Sequence, residues 1–391
     1  MKINREHSTI QLDNLPDEIL IMILKKMSQT DVLYSLIDVN QRLNAIAHDP
    51  IFTNHLTLRE FISNDSINPS TDSMFDRFCS HILPKINDKI KWLDLDSSCM
   101  ERILRATNYP SLYGLTLYNM NVEISMHYAT VVPLLNRMIN LDELGLYIIV
   151  SIRNTFVDGN DLKNKIINKM SRLNKFHFNI RSTIALRNQI NFQSNEDIQY
   201  TFKDFRDNHI ISCVDYFSET RQGQSHIYSY PYTLDNYHRI TNTFPGGLFK
   251  CISKISLYDE RPFEHEFFLR IAQSFPLVKD LTLVNVKPQN GKETDGNQNL
   301  PIIEYAHLTT LDLIKSHFDY IEQFLLDTKT TLSRNVDLSV VYQALRKVTQ
   351  KFESNATRSN CSKLSGLAIV GQHRIPKYVQ KYFPHTEISI C

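Results

Sequence analysis

The chain has 391 residues, with 43 Lys and Arg against 42 Asp and Glu for a formal charge of +1, which gives no electrostatic footprint for nucleic acid or an anionic membrane. A hydrophobic content of 42% with 22% charged residues excludes wholesale disorder. The six cysteines lie far apart without a CxxC pair, no window approaches the roughly eighteen apolar residues of a membrane span, and MKINREHSTIQLDN lacks the apolar core of a signal peptide, so the expectation is a soluble protein with reduced thiols, cytoplasmic or nuclear.

The first element is LDNLPDEILIMILKKM, Leu12 to Met27. Asn14 stands ahead of it, Pro16 at its first turn, Asp17 and Glu18 in the opening turn, and Lys25 and Lys26 at its end, as the helix dipole prefers. Ile19 to Leu24 is six apolar residues in succession, which at 100° per residue point all round a helix. Thr30 can cap a second helix carrying Val32, Leu33, Leu36 and Ile37, and Val39, Leu43, Ile46 and Ala47 continue into a third. So short a cluster rarely sustains its own core and needs support from outside itself.

Beyond it a phrase with apolar residues at positions 1, 4 and 6 recurs: IKWLDL (90–95), LYGLTL (112–117), LDELGL (141–146), LNKFHF (173–178), ISKISL (252–257), VKDLTL (278–283), LTTLDL (308–313) and LSGLAI (364–369). The first three steps between fourth positions are about 22, 29 and 32 residues, the period of a leucine-rich-repeat strand. The last gap leaves room for one more repeat, and NVDLSVVY (335–342) sits near its middle. Helical stripes lie between the phrases: Leu162, Ile166 and Met170; Phe267, Phe268, Ile271 and Phe275; Ile321, Phe324 and Leu325; Leu345, Val348 and Phe352. Strand, helix, strand in this order predicts an α/β solenoid with a mostly parallel, curved sheet. In such a phrase the residues between the apolar ones line the inner surface, which nominates Trp92, Asp94, Tyr118, Tyr147, His177, Tyr258 and Asp312 as a recognition face.

About 180–250 breaks the pattern, with IISCVDYF and HIYSYPYTL reading as two strands joined by the turn-prone ETRQGQ, either irregular repeats or an inserted hairpin. KPQNGKETDGNQN (287–299) reads as a mobile loop. Chemistry is hard to find. There is no GxxxxGK[ST], GxGxxG, HExxH or GxSxG. Glu264, His265 and Glu266 in FEHEFF are adjacent, so they point apart on a helix and read as a solvated face rather than a metal site. Cys213 near Asp215 lacks a histidine identifiable by spacing. Tyr228, Tyr230, Tyr232 and Tyr237 have few cations around them and read as packing tyrosines. No catalytic residue, metal site or cofactor is expected.

LDNLPDEILIMILKKMSQTDVLYSLIDVNQRLNAIAHDPIF resembles an F-box, the motif that docks on the Skp-type adaptor of cullin–RING ubiquitin ligases. The matching residues are Leu15, Pro16 and Glu18 in LPxE, then Ile19, Leu20, Ile23 and Leu24, then Asp31, Val32 and Leu33, then Val39 and Arg42 of V-x-x-R. Asn40 stands where the family usually has cysteine, and Leu43 where it often has tryptophan. The resemblance implies an F-box over 10–56, a linking helical segment over 57–88, and a leucine-rich-repeat-like solenoid over 89–391. It implies adaptor contacts from Leu15, Pro16, Glu18, Ile19, Leu20, Ile23, Leu24, Val32 and Leu33. Its implied role is a non-catalytic substrate receptor of an SCF-type ligase, with an unknown protein substrate on the repeats and neither nucleic acid nor membrane as partner. A repeat scaffold whose N-terminal helices merely cap it is the alternative, and an enzyme using 180–250 a more distant one.

Overall fold

The computed structural model describes residues 15–58, 69–123, 138, 140–152, 155–186, 192–205, 209–290, 300–372 and 374–390. Leu12 to Asn14 and residues 291–299 of the 287–299 loop lie outside them. The fold is mixed α/β, with helices first and mostly parallel sheets after. By internal packing it falls into two units, residues 1–185 with 191–212 and 224–229, and residues 186–190 with 213–223 and 230–391.

Three helices open the first unit: α1 (Asp17–Leu24), α2 (Gln29–Leu36) and α3 (Gln41–Ala47). Pro16 is the residue before α1, and its carbonyl accepts the amides of Ile19 and Leu20. Lys25 and Lys26 fall just past the helix rather than in its last turn. Ser28, not Thr30, caps α2, its hydroxyl accepting the Asp31 amide at 3.1 Å, because α2 begins two residues earlier than expected. Asn40 caps α3 through the Leu43 amide at 2.8 Å, which gives a local reason for asparagine there. The external support that this cluster needs comes from the strand His55–Leu58, on which α2 packs, and from the helical stretch 69–86 with its buried Phe75, Phe78, Ile82, Leu83 and Ile86. Residues 57 and 58 are thus strand, not part of a linking helix.

The strands are β1 (His55–Leu58), β2 (Trp92–Asp96), β3 (Gly114–Glu123), β4 (Glu143–Ile152), β5 (Lys175–Ala185), β6 (His209–Phe217) and β7 (Gln222–Tyr230), forming one sheet in the order 1-2-3-4-5-7-6. Then follow β8 (Asn236–Ile240), β9 (Lys254–Tyr258), β10 (Asp280–Val284), β11 (Ile303–Tyr305), β12 (Thr310–Asp312), β13 (Thr330–Leu332), β14 (Val336–Val341), β15 (Leu364–Val370) and β16 (Glu387–Ile390). Seven of these make a second sheet, ordered 16-15-14-12-10-9-8, and β11 pairs β13.

Register is where the repeated phrase acquires physical meaning. Leu56, Leu93, Leu115, Leu144 and Phe176 are successive parallel partners across β1 to β5. Tyr237, Ile255, Leu281, Leu311, Leu338, Leu367 and Ile388 do the same across the second sheet. Every one of these twelve positions is closed from solvent except Ile388, on the edge strand β16. Strand side chains alternate, so equal register stacks one apolar row beneath each sheet. The helical stripes cover it: Leu162, Ile166 and Met170, Phe267, Phe268, Ile271 and Phe275, and Ile321, Phe324 and Leu325 are all buried. Over 180–250 the two expected strands are β6 and β7, neighbours joined by the short turn 218–221.

Candidate functional site

No enzymatic constellation forms around the tempting residues. His265 is buried: its Nε2–H donates to the Pro301 carbonyl at 2.9 Å, and Nδ1 accepts from Gln323 Nε2 at 3.2 Å. The solvated-face expectation therefore fails at His265, which locks a helix to a neighbouring chain segment, while Glu266 is exposed and Glu264 half-buried. No group of three His, Cys, Asp or Glu fit to hold a metal ion occurs among the described residues. Asp215 is buried in the second unit and accepts from Thr241 Oγ1 at 2.5 Å, Thr243 Oγ1 at 2.7 Å and Arg261 at 3.0 Å. Burial pushes its pKa up despite those hydrogen bonds, and the arrangement fastens strands instead of activating the Cys213 thiol. Of the four tyrosines, Tyr228, Tyr232 and Tyr237 are buried, while Tyr230 is exposed.

Two surfaces remain. The first is α1. Leu20 and Leu24, four apart, turn inward and are buried. Ile19, Met22 and Ile23 stand 43%, 64% and 45% exposed, and Met27 just beyond is exposed too. Val32 and Leu33 of α2 are fully enclosed. Leu20, Leu24, Val32 and Leu33 make up the core of the helical cluster. Leu15 is half-buried, and Pro16, Glu18, Ile19 and Ile23 are accessible. Arg42 sets the approach to α1. Its Nε donates to Asp17 Oδ1 at 2.7 Å, and its guanidinium also donates to the Leu15 carbonyl. The V-x-x-R arginine thus holds the Leu15-Pro16 entry in place from α3. Met22, Met27 and Ile51 are exposed apolar residues outside the matched motif positions, and Val39 of V-x-x-R is exposed too; the six-residue apolar run around Met22 was the available signal.

The second surface is the face of the first sheet opposite its leucine row. Trp92, Asp94, Tyr118, Tyr147 and His177 are all half-buried there. Parallel register puts Trp92 beside His55 and Gly114, and Asp94 beside Thr57 and Thr116. His55 Nε2 lies 2.8 Å from Asp94 Oδ2, and Trp92 Nε1 donates to Asp94 Oδ1 at 2.9 Å. Burial raises the Asp94 pKa, but hydrogen bonds from His55, Trp92 and Thr116 outweigh it and hold the carboxyl below its usual value. Gly114 is required by this packing. A Cβ there would sit 2.0 Å from Trp92 Cε3, so the indole lies across β3 only because that position is bare. Tyr113 meets the Trp92 ring edge-on at 5.6 Å, and Tyr118 stacks on Tyr147 at 4.8 Å and 9°. Glu143 reaches Lys175 at 3.3 Å and His177 at 3.5 Å. His55, Tyr113 and Glu143 escaped the sequence reading because β1 carries only a shortened phrase, HLTL, and the register was not yet known.

Tyr258 and Asp312 belong to the second unit. Arg239 covers the Tyr258 ring at 4.0 Å, and Asp312 Oδ1 accepts the Ile314 amide at 3.0 Å. Both have local structural tasks.

Residues 12–55 match the family model of the F-box domain. No curated protein matches the chain. F-box domains bind Skp1-type adaptors in cullin–RING ligases, and the α1 face lies within the matched residues.

Proposed function

We propose that this chain is a non-catalytic substrate receptor of an SCF-type cullin–RING ubiquitin ligase. One observation carries the reading: within the F-box match, α1 keeps Leu20 and Leu24 for its own core and leaves Ile19, Met22 and Ile23 uncovered. Each aliphatic of this kind is worth about 1.5–3 kcal/mol when fully buried by a partner, and three or four together offset much of the cost of association. Pro16, Glu18, Ile19 and Ile23, with Met22 and Met27, form the adaptor surface, and Leu15 is presented through its bond to Arg42.

The strands after the F-box are read as an irregular leucine-rich-repeat array, supported by the in-register apolar rows and the helices between them. The substrate face is Trp92, Asp94, Tyr118, Tyr147 and His177, with Tyr258 and Asp312 as lesser candidates. Support comes from half-buried aromatics held in place, Trp92 by its hydrogen bond to Asp94 and Tyr118 and Tyr147 by stacking on each other, which lose little side-chain entropy on binding. The receptor brings substrate near a transfer reaction performed by other subunits, so its contribution is proximity.

Co-expression with a Skp1-type adaptor tests the proposal. Wild type co-purifies with the adaptor, and Ile19→Glu/Ile23→Glu does not while melting normally. A wild-type chain that never retains the adaptor leaves the repeat-scaffold alternative standing.

A further inference from the structure

A cavity of about 450 Å³ opens in the second unit where Arg334, Ser359, Ser362, Lys363, Ser365 and His385 converge. These residues precede or flank the starts of β14, β15 and β16, so three neighbouring strands supply one basic corner. No Asp or Glu lines it. Some cations of the same unit meet carboxylates, Lys254 with Asp280, Lys329 with Glu322, and Arg261 with Asp215 and Asp259. Among the described residues Arg334, Lys363 and His385 form no such pair. Lys363 Nζ is steadied at 3.3 Å by the neutral Asn360 Oδ1, which positions the ammonium without cancelling its charge. Arg334 and His385 make no side-chain hydrogen bond or ion pair with the described residues. The nearby Asp337 accepts the Ser365 hydroxyl at 2.7 Å, and the Ser362 hydroxyl donates to the Ser359 carbonyl, leaving the Ser359 hydroxyl available.

Arg334, Lys363 and His385 around one opening, with no carboxylate among its lining residues, present a positive potential that attracts an anion. We propose that this corner is a binding site for a phosphomonoester. The Arg334 guanidinium can take two phosphate oxygens in its planar fork, Lys363 supplies a point charge, and Ser359 and His385 donate to the remaining oxygens. The cavity falls in the roughly 300–1,000 Å³ range of small-ligand sites, which leaves space for the group esterified to the phosphate. The phosphate source is a phosphorylated side chain of a partner protein or a free small phosphomonoester; both present the same dianion. The site does not depend on the receptor reading, since it uses neither α1 nor the strand face.

Calorimetric titration of the full chain with inorganic phosphate, O-phosphoserine, a Gly-phosphoserine-Gly peptide and its unphosphorylated form tests this. O-phosphoserine binds in the range of about 1 mM or tighter, and serine and the unphosphorylated peptide do not. Arg334→Gln/Lys363→Gln weakens binding about tenfold or more, whereas Lys279→Gln, at the matching position before β10, leaves it unchanged. His385→Gln alone weakens it to a smaller degree and serves if the double variant melts early. A peptide that outbinds O-phosphoserine identifies a phosphorylated partner as the source, and equal binding of the two identifies a free phosphomonoester. Three results overturn the proposal: no heat with any phosphomonoester, binding that survives both Arg334→Gln/Lys363→Gln and His385→Gln, or an oligonucleotide phosphodiester that binds as tightly.

Discussion

Helix α1, DEILIMIL, and the helix Phe318–Leu325, FDYIEQFL, are both eight residues long and rich in apolar side chains, yet they end differently. In the second, Tyr320, Ile321, Phe324 and Leu325 are completely enclosed, and even Asp319 and Gln323 are buried with hydrogen-bond partners. In α1 only Leu20 and Leu24 are enclosed, although Ile19 to Leu24 is unbroken apolar sequence. Composition alone makes α1 the more hydrophobic helix and therefore the one expected to be deeper. What decides the outcome is the neighbourhood. The helix Phe318–Leu325 packs against the helices Tyr342–Val348 and Arg358–Cys361 and the strand Thr330–Leu332, whereas α1 belongs to a small three-helix cluster. Apolar side chains that the described residues leave exposed, as on α1, are the kind of patch that marks an interaction surface.

The sharpest way to break this comparison is to truncate the enclosed helix. Phe324→Ala removes a ring in contact with Phe268 and Tyr305. It should cost about 3–5 kcal/mol in denaturant unfolding, the usual range for a buried phenylalanine. A loss below about 1 kcal/mol would mean that the array is loosely packed and that α1 is not exceptional.

Gly114→Ala comes next. The added methyl collides with the Trp92 ring at 2.0 Å, so the indole must swing out or the strands must part, at a cost of about 1–3 kcal/mol. Trp92 is the chain's single tryptophan, so its fluorescence reports this site alone. A red-shifted emission with a lowered midpoint is expected, and an unaltered spectrum would show that the strand face is not built around Trp92.

How much of this was legible beforehand follows the same division. The apolar rows could be read because period-two burial repeats in every phrase, and the fourth positions from Leu93 to Leu367 became strand partners. Strands β1, β8 and β16 were missed because HLTL, NYHRI and EISI are too short to carry the phrase in full. Motif matching named Val32 and Leu33 but could not show that both are enclosed, since a sequence pattern does not say which way a side chain faces. His265 was misjudged for a related reason: adjacent charges suggest a wet surface, and only the distant Pro301 and Gln323 reveal that the ring is enclosed.

A smaller effect separates the open strand face from the closed core through pH. Asp94 has a folded pKa below its unfolded value of about 3.9, because His55, Trp92 and Thr116 stabilise the carboxylate. Its contribution to stability is therefore complete above about pH 4 and is lost as pH falls through the folded value. Asp94→Asn should be less stable than wild type at pH 5, with the difference shrinking at pH 3. Parallel stability curves at both pH values would remove Asp94 as an organiser of this face.

The smallest change in stability carries the most information about function. Ile23→Ser on α1 replaces a side chain that is already 45% exposed, so the isolated chain should shift by no more than about 0.5 kcal/mol. Adaptor capture should nevertheless fall at least about tenfold, since the lost burial of one aliphatic is about 1.5–3 kcal/mol. Leu24→Ser, one residue further along the same helix, should do the reverse in kind: it opens the core, lowers the melting temperature, and weakens capture only through unfolding. If both variants lose stability equally, the outer side of α1 is covered by its own chain in solution and the contrast with Phe318–Leu325 disappears. If Ile23→Ser is silent in melting and impaired in capture, the uncovered apolar residues are the interface, and the two helices differ in who completes their cores.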